Sequence, residues 1–296
     1  MMIIFLILCG FFSGLYAFDD SSSGRFLLLP PNAYALSMGE AMTSLSDSSS
    51  EFTNPALMVE QEGNYLELSY MKWFEDISYS NLSFVYPIKG KKRAMGIGAN
   101  YLGVPNIEAY DENGEPLGMT RVNNWTGGFS VSQRVSNVLS AGVGFRIISL
   151  DLAGEKGSGM CFNTGLSLKP SKPLRLAVVF RNLGPDLKIG EILNPLPSVT
   201  EYGASYQITD FVMSLDYDSD SKLGLGLDYQ ISDIFYLRGG YRDLPDLKEG
   251  AGISLGLGFR EKSKFYLGGL LSYFNYGIAA YGELGFVHSF SLGIAF

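Results

Sequence analysis

Period-two alternation constrains this chain more than any other feature, and residues 286–296 carry it cleanly. Phe286, His288, Phe290, Leu292, Ile294 and Phe296 alternate with Val287, Ser289, Ser291, Gly293 and Ala295. Neighbouring side chains on a strand point to opposite faces, so one face here is bulky and the other small or polar. The length also matches the roughly 9–11 residues that a tilted strand needs to cross a bilayer. A half-buried strand of a soluble sandwich alternates in the same way, so the rest of the chain has to decide.

The pattern recurs from Asn64 onward. Ala251, Ile253, Leu255, Leu257 and Phe259 alternate with Gly252, Ser254, Gly256, Gly258 and Arg260. Leu139, Ala141, Val143, Phe145 and Ile147 oppose Ser140, Gly142, Gly144 and Arg146. Strands are expected near 64–73, 76–87, 93–103, 123–133, 138–149, 158–169, 173–182, 198–208, 211–218, 221–231, 233–242, 249–260, 263–274 and 283–296. That is about fourteen, an even number, as in single-chain bacterial barrels. Very short links at Asn137, Thr209-Asp210 and Ser232-Asp233 alternate with longer loops at 104–122, 150–157, 183–197, 243–248 and 275–282. Short turns on one side and long loops on the other are the outer-membrane arrangement. The last strand would then run down to the periplasmic side, and the longer loops would be external.

Composition points the same way. Charged residues make up 18% of the chain, below the roughly 25% of soluble proteins, while Gly (36), Tyr (18) and Phe (20) are abundant. No run of eighteen apolar residues occurs after residue 17. A spanning protein built from this chain has to be a closed barrel, because only closure satisfies every backbone group in lipid. The fold class is therefore all-β, a transmembrane antiparallel barrel. Residues 1–17 read as a secretory signal peptide ending at Ala17, with a lipid-anchored start at Cys9 as the alternative. Residues 18–63 lack the alternation that marks the chain from Asn64 on. They carry turn signals at Asp47-Ser48-Ser49-Ser50 and Asn54-Pro55, and apolar residues at helical spacing from Ala33 to Leu45. One or two short helices with loops are expected there, before a barrel over 64–296.

Chemistry-bearing motifs are sparse. A net charge of −8 argues against nucleic acid as a partner. A single histidine, His288, provides no set for a His-based metal site or a Ser-His triad. Gly96-Ile97-Gly98 sits within a strand and opens no helix, so it is no dinucleotide loop; a kink in the wall strand is the reading for Gly96 and Gly98. The acidic run at 111–115 is read as a solvated loop rather than a Ca²⁺ site. Lys89, Lys91, Lys92 and Arg93 form a basic hairpin turn, with contact to anionic headgroups as the sharper alternative to plain solvation. Neither a cofactor nor an enzymatic activity is expected. Arg146, Arg175, Arg181, Glu201, Asp216, Asp228, Arg238 and Arg260 fall on the inward faces, where they must pair, stay wet or hold the N-terminal segment as a plug.

Residues 35–57 add a resemblance. Ala35-Leu36-Ser37-Met38-Gly39-Glu40-Ala41, Leu45-Ser46-Asp47 and Asn54-Pro55-Ala56-Leu57 are similar to the N-terminal signature of the PorV/PorQ-like branch of the FadL outer-membrane transporter superfamily. Tyr101-Leu102-Gly103, Arg181-Asn182-Leu183-Gly184-Pro185, Arg238-Gly239-Gly240-Tyr241-Arg242 and the closing Ser291-Leu292-Gly293-Ile294-Ala295-Phe296 come after it in family order. Glu40 departs from the pattern, which usually has a second glycine there. The resemblance implies a fourteen-stranded barrel in the bacterial outer membrane, with residues before about 63 folded into the lumen as a hatch. It implies one of two roles. The first is diffusive uptake of hydrophobic molecules, foremost long-chain fatty acids, through the hatch and a lateral wall opening. The alternative is a component of a protein secretion or surface-attachment system, with secretion proteins as partners. Phe52, Asn54, Pro55, Ala56 and Leu57 are the expected hatch gate.

Overall fold

The computed structural model describes residues 22–296 except 89, 91, 112, 245–250 and 261–270. The expected leader at 1–17, Cys9, Lys89, Lys91, Glu112 and part of the expected strand at 263–274 lie outside the described residues. The strands are β1 (Tyr65–Lys72), β2 (Ser78–Ile88), β3 (Arg93–Tyr110), β4 (Pro116–Arg134), β5 (Leu139–Leu152), β6 (Glu155–Leu168), β7 (Leu174–Leu183) and β8 (Leu187–Ile189). They continue as β9 (Ile192–Asn194), β10 (Val199–Ile208), β11 (Phe211–Asp218), β12 (Leu223–Gln230), β13 (Phe235–Arg242), β14 (Ile253–Arg260), β15 (Leu271–Ala280) and β16 (Phe286–Ala295). β1 pairs with β16 and β5 with β6, so the sheet returns on itself. Setting aside the three-residue pieces β8 and β9, fourteen antiparallel strands close the barrel, as expected from the alternation.

Closure and alternation together divide the side chains between two environments. In β1, Leu66, Leu68 and Tyr70 stand on the outer face while Glu67, Ser69 and Met71 are buried inside. The same division holds for β14 and β16. Outward aromatic residues gather towards the two rims. Tyr86, Phe211, Tyr229, Phe235, Phe259 and Phe296 lie near the short-turn end, and Tyr101, Trp125, Tyr217, Tyr241 and Phe286 lie further toward the long loops. Two aromatic girdles around an apolar band are the mark of a barrel in a bilayer. Among the described residues no helix is long and apolar enough to cross a membrane.

Four connections differ from the sequence reading. The expected loop at 104–122 is largely strand, because β3 and β4 continue past their neighbours as a two-stranded ribbon. β4 pairs with β5 only from Val122 onward, so the ribbon stands clear of the wall beyond that point. The loop at 150–157 is a tight hairpin turned by Ala153 and Gly154, both with positive φ. The loop at 183–197 contains β8 and β9, and β8 pairs with β6. The expected loop at 275–282 is mostly strand, since the β15 ladder to β16 runs on to the pair Ala280 and Phe286.

The N-terminal segment packs inside the barrel as short helices joined by turns. A 3-10 turn covers Arg25–Leu28, α-helical turns cover Ala33–Ser37 and Ser50–Thr53, and a further 3-10 turn covers Pro55–Glu60. Asn32 caps the second of these by accepting from Ala35 N at 2.8 Å. Asn54 caps the last one through Ala56 N, with Pro55 in the first position, where its missing N–H goes unneeded. The helical spacing from Ala33 to Leu45 yields only five helical residues, because Gly39 and Glu40 both turn left-handed, at φ 58° and 61°. That conformation suits glycine and is strained for glutamate, at the position where the signature usually has glycine.

Candidate functional site

Among the described residues the lumen is the large interior these strands enclose, and glycines decide how the N-terminal segment lies in it. A Cβ at Gly98 would overlap the Glu51 carboxyl and the Phe52 ring. One at Gly142 would overlap the Pro55–Ala56 peptide, and one at Gly165 the Asn54 side chain. On the opposite wall, Gly240 gives the same clearance to the peptide at Met38 and Gly39. The inward glycines thus let the segment lie backbone against wall. Gly96 and Gly98 belong to this track. Their ladders to β2 and β4 run unbroken, so the kink expected there is absent. Among the barrel pairings, the register shifts lie in the β3–β4 ribbon and between β6 and β7.

The expected gate residues all sit on this track. Phe52, Asn54, Pro55, Ala56 and Leu57 are buried. Asn54 donates to Thr43 O at 2.8 Å, tying two turns of the segment together. Most of the inward charges hold the segment from the wall, while Arg260 bonds within the wall. Arg146 donates to Glu51 O at 2.9 Å, and its guanidinium lies 4.4 Å from the Phe52 ring centroid. Arg175 donates to Ser44 O at 3.2 Å and pairs with Glu60 at 3.5 Å. Arg181 bridges Glu201 at 2.9 Å and Leu27 O at 3.0 Å. Asp216 accepts from Thr43 N at 2.7 Å, and Glu201 accepts from the Thr43 hydroxyl at 3.2 Å. Arg238 pairs with Asp228 at 3.3 Å, donates to Asn275 at 2.8 Å and stacks over Tyr34 at 4.5 Å. Arg260 donates to the Tyr65 hydroxyl at 3.1 Å. Each buried charge therefore meets an opposite charge, a carbonyl, a hydroxyl or an N–H, which is the condition for keeping it in a closed interior.

Three acids of the site, Asp47, Glu51 and Glu67, were not among the site residues expected from sequence. Asn32 Nδ2 donates at 2.8 Å both to Asp47 and to Glu67 of β1, joining the segment to the wall through one amide. Burial pushes the Asp47 carboxyl up, against the pull of hydrogen bonds from Asn32 and Ser49. Glu51 is only 1% exposed. Burial pushes its carboxyl up to about 8, with Arg146 pulling it back, so it is neutral at pH 7. The alternation Tyr65, Glu67, Ser69 does mark Glu67 as inward; a lone acid on the buried face was the available signal. A chamber of about 190 Å³ opens beside this latch, at the short-turn end. Tyr34, Asp47, Glu67, Asp228, Arg238 and Tyr273 are among its lining residues.

The long-loop half of the lumen is different in kind. Met71, Tyr79, Ile148, Leu150, Cys161 and Val287 from the wall pack with Phe26, Leu27 and Leu36 of the N-terminal segment and with Leu187 of β8. This apolar core lies above the charged floor. Leu187 is fully buried and fills the space left by Gly159 and Gly24. Beneath it the β6–β7 ladder slips between Phe162 and Thr164. Asn182 takes φ 56° there, and its N–H donates to Asn163 Oδ1 at 2.8 Å. The long-loop part of this seam is closed by three-residue β8 rather than by a full strand.

No known family model matches the sequence, and no curated protein matches it. Solved structures do match in shape. The toluene transporter TbuX of Ralstonia pickettii superposes with a TM-score of 0.63 at 16% identity, covering 94% of this chain and 98% of that one. A FadL homologue of Pseudomonas aeruginosa gives 0.61 at 13% identity, covering 90% and 98%. The toluene transporter TodX of Pseudomonas putida gives 0.61 at 12% identity, covering 95% and 98%. The chain thus shares the fold of FadL-type outer-membrane barrels over nearly its whole described length.

Proposed function

We propose that this protein is an outer-membrane conduit for hydrophobic molecules, with its short turns in the periplasm, its long loops outside and its N-terminal segment acting as the hatch. One observation carries the reading. The external half of the lumen is a continuous apolar core, made partly of short pieces (the Phe26–Leu27 turn and the β8 strap), over a polar floor, and water-soluble cargo would gain nothing from such a core. A hydrophobic molecule gains by replacing Phe26, Leu27 or Leu187 against Met71, Ile148 and Leu150. Two of the similar structures bear the name toluene transporter. A long-chain fatty acid is the better cargo here, because Arg146 and the asparagines Asn81, Asn100 and Asn163 line the level beneath the apolar core. Those groups suit a polar head and offer nothing to a bare hydrocarbon. The β6–β7 seam, rather than Gly96 and Gly98, is then the lateral opening. Binding of a fluorescent long-chain fatty acid to the purified protein is the test. The proposal expects saturable binding, displaced only weakly by toluene, and no saturable binding removes it.

A second reading, a component of a secretion or surface-attachment system, is favoured by the β3–β4 ribbon. It projects Tyr110, Leu117 and Met119 together with Glu108, Asp111 and Glu115. Stoichiometric co-purification with a secreted or surface-attached protein, lost on trimming residues 106–120, supports that reading.

A further inference from the structure

The outer wall around Arg93, at the start of β3, has no part in the conduit. Arg93 and Met95 of β3, Val131 and Gln133 of β4, and Ala141 and Val143 of β5 lie in register on the outer face. Met95, Val131 and Val143 stand out into the lipid band, while Ala141 between them ends at its Cβ. The result is an apolar recess of about 510 Å³ in the lipid-facing wall. Arg93 closes its short-turn end and donates through Nε to Gln133 Oε1 at 2.7 Å. That uses one of its five N–H donors. Arg93 has no carboxylate partner among the described residues. Tyr86 of β2, opposite Met95, places an outward aromatic ring at the same level, where the headgroups begin.

We propose that this recess binds one anionic phospholipid, with an acyl chain over Ala141 and the phosphate against Arg93. A hydrocarbon chain alone gives no reason for a cation without a carboxylate partner at the end of the recess. A soluble phosphate gives none for the apolar floor. Phospholipid chemistry accounts for both, since a guanidinium holds phosphate oxygens while the chain fills the space beside the small residue. The site does not depend on what the lumen carries.

Native mass spectrometry of the detergent-released protein tests it. The probes are phosphatidylglycerol, phosphatidylcholine with the same chains, and glycerol 3-phosphate. Phosphatidylglycerol is expected to be retained over phosphatidylcholine, and glycerol 3-phosphate is not expected to bind. Arg93→Gln lowers phosphatidylglycerol retention by about fivefold. Ala141→Leu narrows the recess at its floor, keeps Arg93 and lowers retention of both lipids. Equal retention of the two lipids by the unaltered protein overturns the proposal. So does glycerol 3-phosphate binding as tightly as the lipid, or full retention by Ala141→Leu. Both variants alter outward side chains, and the migration of unheated protein in detergent gels confirms that the barrel has closed.

Discussion

Gly98 and Gly239 are both strand glycines, but only the first has the N-terminal segment lying against it. A Cβ at Gly98 meets Glu51 and Phe52, whereas one at Gly239 meets nothing within 4 Å. Gly98→Val is therefore expected to lift the hatch from the wall and leave the barrel closed, and Gly239→Val to change neither. Limited proteolysis of the N-terminal segment in intact barrels distinguishes the two. Glu51 gives a second residue-scale prediction. Its carboxyl is protonated in the docked hatch and ionises near pH 4.5 when released, so docking takes up a proton between those values. This contribution is fully present below about pH 4.5 and is lost as pH rises through about 8. Protease sensitivity of the hatch is expected to rise from pH 6 to pH 9, and Glu51→Gln should flatten that profile. The inward position of Gly98 was legible from alternation with Ile97 and Met95, and so was the room it leaves for lumen contents. Its neighbour was not legible, because nothing local says that residue 51 crosses the lumen to meet residue 98.

At the scale of elements, strand positions were readable because alternation is repeated on every strand and set by the two environments across the wall. The strap was not. β8 has three residues, too few to show a period, and its place is fixed by Leu187 entering the apolar core and by the β6 ladder. The ribbon was missed for the opposite reason: beyond Val104 both faces of β3 and β4 meet solvent, so the burial that produces alternation is gone. If the β6–β7 seam is the lateral opening, locking its strap should stop passage while leaving binding intact. Ser158 faces Lys188 across the two strands. Ser158→Cys with Lys188→Cys, oxidised, is expected to abolish fatty-acid release into the membrane of proteoliposomes, with recovery on reduction. Release that is unchanged by the cross-link places the exit elsewhere. Truncating the strap's anchor, Leu187→Ala, removes a fully buried side chain. It is expected to lower stability by about 2–5 kcal/mol, read from thermal unfolding in detergent.

The whole molecule depends on one physical division: an apolar band turned outward to acyl chains, and a lumen filled by the short turns between Arg25 and Glu60. The chain's two tryptophans sit on either side of that division. Trp125, 44% exposed, projects from the outer face of β4. Trp73 lies at the long-loop rim, packed against Phe74 and Tyr281 with ring centroids 5.1 and 5.0 Å away. Single-tryptophan variants, Trp73→Phe and Trp125→Phe, reconstituted in bilayers of bromine-labelled phospholipid report which side chain touches acyl chains. The account predicts strong quenching of Trp125, greatest with bromines near the headgroup end of the chain, and little quenching of Trp73. Weak quenching of both in folded, reconstituted protein, or stronger quenching of Trp73 than of Trp125, contradicts it.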